Sequence, residues 1–207
     1  MAVLLSTVLA GAAVVAAVPL EPAGWFNSKE HPKTALAVAE HGAIPYTIDV
    51  SPDGAALRCQ TAETTDLDLK VCELVMKRAR FQPASDEQGR PAFGLYEGVA
   101  SFLLPGKNSR RPDRAKRTVT IDALPQGIAS PAYAKVAFLV GGDGAISHCA
   151  STAAEKRRSL QTYEALGPTA CESLARDYRP QVARNAAGDA VASVQSVMVR
   201  FEVRPAT

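Results

Sequence analysis

Val50-Ser51-Pro52-Asp53-Gly54-Ala55-Ala56-Leu57-Arg58-Cys59 returns in the second half of the chain as Val140-Gly141-Gly142-Asp143-Gly144-Ala145-Ile146-Ser147-His148-Cys149. The Val, the Asp-Gly pair, a small Ala and the Cys keep the same spacing in both. Outward from this stretch the likeness continues. Each copy has a second Cys followed by Glu (Cys72-Glu73, Cys171-Glu172) and then an aromatic-x-Pro step (Phe81-Gln82-Pro83, Tyr178-Arg179-Pro180). A Gly and a Phe close each unit at equal separation, Gly89 to Phe102 and Gly188 to Phe201. Self-similarity of this kind marks one small module used twice.

The elements of the module follow from pattern. Ile44 to Val50 alternates apolar and polar, as a half-buried strand does, and Pro52-Asp53-Gly54 is turn chemistry leading into a second strand from Ala55 to Cys59. Thr65 is placed to cap a helix running to about Arg78, with Leu67, Val71, Leu74 and Val75 on one stripe. A final strand is expected from about Tyr96 to Leu104. Before the first hairpin, His31 to Gly42 reads as a short helix opened by Pro32 and closed by Gly42. The second copy repeats the plan: Tyr133–Val140, the Asp143-Gly144 turn, Ala145–Cys149, a helix opened by capping-box spacing at Thr169–Glu172, and a strand through Val197, Val199, Phe201 and Val203. An insertion with Lys156, Arg157 and Arg158 lengthens the stretch between its cysteines and reads as an added helix.

The expected architecture is therefore α+β, two tandem small domains, each an antiparallel sheet packed on one or two helices. Residues 1–20 form a leader, 26–104 the first repeat, 105–117 a basic linker and 118–204 a degenerate second repeat. Met1 to Leu20 is apolar and free of charge, fitting either a secretory signal cut at Val15-x-Ala17 or a retained anchor. A membrane contact is expected only if that segment is kept. Cysteines in local pairs, one pair per copy, suit an oxidising compartment, and the duplication selects Cys59–Cys72 and Cys149–Cys171.

Several function classes receive no support. A net charge of +2 is too small to argue for nucleic acid, and no aromatic-basic stripe of the RNA-binding kind is visible, so no nucleic-acid partner is expected. No C-x2-C pair, H-E-x-x-H or G-x-S-x-G occurs, so no metal, cofactor or catalytic residue is expected and the chain reads as a non-enzyme. Asp66 and Asp68 sit where they favour a helix dipole, and Gly141-Gly142-Asp143-Gly144 lacks the Lys-Ser/Thr of a phosphate loop.

Val50, Asp53, Gly54, Cys59, Cys72, Arg78, Phe81, Pro83, Ala84, Gly89, Pro91 and Phe102, taken in order, resemble the C-terminal domain of the TonB family, with His31-Pro32 and Glu40-His41-Gly42 similar to its lead-in. The likeness is good from His31 to Leu104 and looser from Tyr133 to Val203. It implies a periplasmic protein, or one anchored in the inner membrane and facing the periplasm. Such a protein would bind envelope proteins or receptor N-terminal peptides by adding an extended chain to a sheet edge. It also implies a link to TonB-dependent outer-membrane transport; the alternative is a structural or inhibitory envelope protein without a transport role. The residues placed on that edge are Val99, Ala100 and Phe102 in the first copy and Met198, Val199, Arg200 and Phe201 in the second.

Overall fold

The computed structural model describes residues 13–39, 41–106, 113–153, 156–157 and 160–205. It is α+β. The first hairpin is β2 (Gly42–Val50) and β3 (Ala56–Thr61), preceded by a short strand β1 (Val18–Pro19) and a five-residue helix α1 (Lys33–Ala37). Helix α2 (Asp66–Arg78) follows, then the short strands β4 (Phe81–Gln82) and β5 (Ala84–Ser85) and the long β6 (Pro91–Phe102). The second half supplies β7 (Ala115–Ile121), the hairpin β8 (Ala132–Val140) and β9 (Ile146–Ser151), and a small ribbon β10 (Lys156–Arg157) with β11 (Leu160–Gln161). Helix α3 (Gly167–Asp177) and β12 (Ser193–Val203) complete it.

Local chemistry accounts for most of these. The Thr65 hydroxyl accepts from the Asp68 N–H, and Leu67, Val71, Leu74 and Val75 are buried as their spacing requires. Gly54 and Gly144 take φ of +83° and +84° in their turns. At Gly54 an added Cβ would stand 2.1 Å from the Phe81 carbonyl oxygen, so this glycine is needed for space as well as for φ.

Other expectations change. The lead-in helix covers only Lys33–Ala37, because Ala39 turns the chain at φ +54° and Gly42 opens β2 instead of closing a helix. Helix α3 begins at Gly167 with no side-chain cap, so Thr169 lies inside its first turn. Lys156–Arg157 belongs to the β10–β11 ribbon, where a helix was expected. The basic linker ends sooner than its composition suggests: residues 107–112 lie outside the described residues, but Ala115, Lys116 and Arg117 open β7.

The largest change concerns the relation between the halves, which form one continuous sheet in the order β3-β2-β6-β12-β8-β9. The equivalent final strands pair in parallel, Ser193 with Phe93, Val194 with Gly94 and Gln195 with Leu95. Parallel pairing of equivalent strands relates the copies by a two-fold axis along the strands, and such an axis turns one face of the sheet into the other. The cores confirm this. Ile48, Val50, Val71, Leu74 and Val75 form the first with α2, whereas Val136, Phe138, Val140, Val199, Phe201 and Leu174 form the second with α3. Strand β8 belongs to both: Ala137 faces the first core and Val136 and Phe138 the second. It is covered on both faces, as its apolar run demands.

Candidate binding edge

The final strands carry the expected binding residues, and the two copies differ sharply there. Strand β12 lies between neighbours on both sides. Met198, Val199, Arg200 and Phe201 pair with Lys135, Ala134, Tyr133 and Ala132 of β8 on one side. On the other they meet Ala115, Arg117, Thr118 and Val119 of β7. Their main-chain groups are taken, and Val199 and Phe201 are fully buried. The edge expected at Met198–Phe201 is corrected: β7, built from residues assigned to the linker and the start of the second repeat, closes it.

In the first copy the geometry is different. Val99, Ala100 and Phe102 pair with Pro45, Ile44 and Gly42 of β2. On the opposite side β6 touches β12 only from Phe93 to Leu95, then diverges as β7 takes the place beside β12. Among the described residues no strand pairs with that side of β6 from Glu97 to Phe102. Ala100 and Phe102 face the core, while Val99 is 39% exposed. Gly98 is filled by its neighbour: a Cβ there would stand 2.3 Å from the Tyr46 ring, which lies over the strand. Burial pushes the Tyr46 hydroxyl well above the ordinary tyrosine range.

The mouth of the gap between β6 and β7 is polar. Lys116 Nζ lies 3.0 Å from the Glu97 carboxylate. Tyr178 is pushed up to about 12 by burial, with the Glu97 charge adding to the effect. β7 itself is tied to α3, the Arg117 Nε donating to Ser173 Oγ at 3.2 Å.

The outermost strands of the sheet order are β3 and β9, and both are cross-linked to helices. Cys59 bridges to Cys72 and Cys149 to Cys171, as the duplication selects. Each bridge fastens an outer strand to the helix above it, which obstructs pairing at an otherwise exposed rim.

Contacts between the halves were not visible in the sequence. The turn at Asp86–Arg90 reaches over the second copy, placing Glu87 4.0 Å from His148 Nε2. Arg184, at the start of the matching turn in the second copy, reaches Asp49 of the first copy. There Asp49, 2% exposed, accepts from Arg58 Nε at 2.7 Å. Desolvation pushes the Asp49 carboxyl up, against the Arg58 charge and hydrogen bond and the influence of Arg184 from the second copy. Asp49 occupies the polar phase of β2, so alternation alone assigns it to water. In the fold it is buried, and Arg184 from far along the chain reaches it.

An open cavity of ≈ 540 Å³ lies between the N-terminal turn and α2, lined by Lys29, Glu30, His31, Asp66, Leu69, Lys70 and Glu73 among others. Two of its carboxylates are paired, Glu30 with Arg78 and Glu73 with Lys70, the latter at 2.8 Å. No group of three or more metal-ligating side chains occurs among the described residues, nor does any helix among them have the length and apolarity to cross a membrane. No family model, curated protein or solved structure matches the chain.

Proposed function

We propose that this is a non-enzymatic, exported protein made of two TonB-C-terminal-like repeats, and that it binds extended peptides or protein strand edges along Glu97–Phe102 of β6. The observation that carries the reading is the one-sided pairing of that half of β6, beside a β12 that is enclosed. An extended segment laid against β6 would gain main-chain hydrogen bonds, Val99 would meet its side chains, and Glu97 and Lys116 would select its charge. Two disulfides suit an oxidising compartment such as the periplasm. Within this proposal the TonB resemblance supplies the partner class, the N-terminal peptides of outer-membrane receptors, and the link to transport.

The test is hydrogen exchange on the intact protein with and without synthetic receptor N-terminal peptides. The expected result is new protection confined to Glu97–Phe102. Protection at Met198–Phe201, or none with any peptide, refutes the reading.

A second reading, a structural or inhibitory envelope protein, draws on the mutual pairing of the two final strands at Phe93–Leu95 and Ser193–Gln195. In that case the duplication serves to cover strands that a single repeat would leave open.

A further inference from the structure

Residues 13–20 were read with the leader, but they are built into the fold as a strap across the first repeat. Val14 and Ala17 are buried in the first core, while Val15, Val18 and Leu20 stay 48%, 47% and 48% exposed. Val15 and Ser85 exchange both main-chain hydrogen bonds, at 3.0 and 2.9 Å. Val18–Pro19 pairs with Phe81–Gln82, and the Leu20 N–H donates to the Arg80 carbonyl at 2.8 Å. Ala17 lies over the bare Gly94, where a Cβ would stand 3.0 Å from the Ala17 Cβ. The strap therefore fills a groove built by Arg80–Ser85 and Gly94, which are far along the chain from it.

One short connection leads from the strap into the repeat. Glu21 there takes φ +48° and ψ +48°, the left-handed region that is costly for a residue with a Cβ. A single 3-10 turn, Pro22–Gly24, then leads to Trp25, which is anchored in the core and donates from Nε1 to the Leu20 carbonyl at 3.1 Å. An element that meets only distant parts of its chain, through a strained hinge, finds the same groove on a second copy. We infer that the strap exchanges between two copies of this chain, Val14–Leu20 of each lying in the groove of the other. Exchange keeps every contact described above, including the one from Trp25 to Leu20, now made between chains. It lets Glu21 leave the left-handed region, and it gives the outward row of Val15, Val18 and Leu20 a neighbouring protomer to pack against. The inference does not depend on the peptide-binding reading, which uses a different part of β6.

The test takes the full chain, checks its intact mass, and follows its size by light scattering over a dilution series. Monomer and dimer are expected in concentration-dependent exchange. In Val15→Cys/Ser85→Cys the two new thiols sit on directly opposed residues, whose Cα atoms in such a pair are about 5.5 Å apart and within reach of a disulfide. The four native cysteines are already bridged. Oxidation of the concentrated variant should therefore give a chain of doubled mass in denaturant, joined through the engineered pair. Glu21→Gly, which removes the hinge strain and leaves the strap untouched, should weaken the dimer by roughly tenfold or more. A single-chain mass at every concentration overturns the inference. So does a dimer whose engineered bridge closes within one chain, or one that Glu21→Gly leaves as tight as the parent. A recovered chain that begins after Ala17 carries no strap and overturns it as well.

Discussion

Removing one disulfide tests whether the repeats behave as two domains or as one folding unit. Cys59–Cys72 closes a loop of 13 residues and Cys149–Cys171 one of 22. By the chain-entropy relation each cross-link contributes about 3 kcal/mol at 25 °C, the longer loop slightly more because the dependence is logarithmic. For a chain of this size about 3 kcal/mol corresponds to a fall of about 6–12 °C in thermal midpoint. The double substitution Cys59→Ala/Cys72→Ala alters only the first repeat. The central strands β6 and β12 are paired, and β8 packs into both cores, so the loss is expected to move the whole transition and keep it single. Calorimetry with fluorescence from Trp25, which is buried in the first core, checks this. Both signals should fall together, and Cys149→Ala/Cys171→Ala should do the same to Trp25 although that bridge lies in the other half. A biphasic melt, in which only the half that lost its bridge shifts, refutes the single-sheet reasoning.

Three further outcomes follow from particular residues. Phe201→Ala empties a fully buried site beneath α3 and should cost about 3–5 kcal/mol, measured by urea denaturation. Asp49→Asn removes a carboxylate whose folded-state pKa is raised by desolvation. The parent therefore gains stability as pH falls through that raised value, and the Asn variant should show no such gain and no loss at pH 7; a marked loss at pH 7 counts against it. Glu30 is the reverse case, held below the usual carboxylate range chiefly by the hydrogen bond from Arg78. Its stabilisation is present above the ordinary pKa of 4.5 and lost as pH falls through the depressed one. The gap between parent and Glu30→Gln in acid titrations of the thermal midpoint should thus close toward low pH.

Much of the module was legible because its determinants are local. The Asp-Gly turns, the Thr65 cap, the α2 stripe and the cysteine pairing each depend on residues close in sequence, and duplication allowed the hairpin, the main helix and the final strand to be read twice. The lead-in helix was read too long because Ala39, with no sequence signal, turns the chain at φ +54° ahead of the Gly42 expected to close it. Val14 and Ala17 were read as leader because an apolar, uncharged run looks alike whether it enters a membrane or a core. The pairing of the final strands was not legible. Alternation identifies a strand and its buried face, but nothing in it records which neighbours a strand acquires.

The sequence by itself determined the repeated unit, its disulfides and the buried stripe of α2, since hydrophobic period and turn chemistry act over a few residues. Only the tertiary structure decided that the two units share a sheet with α2 and α3 on opposite faces, that β7 seals β12 while no described strand pairs with one side of β6 from Glu97 to Phe102, and that Arg184 from the other half reaches Asp49. Those outcomes depend on main-chain hydrogen bonds between distant segments. Main-chain groups are the same at nearly every residue, so which strands pair is settled by how the whole chain packs and not by the letters at the pairing site.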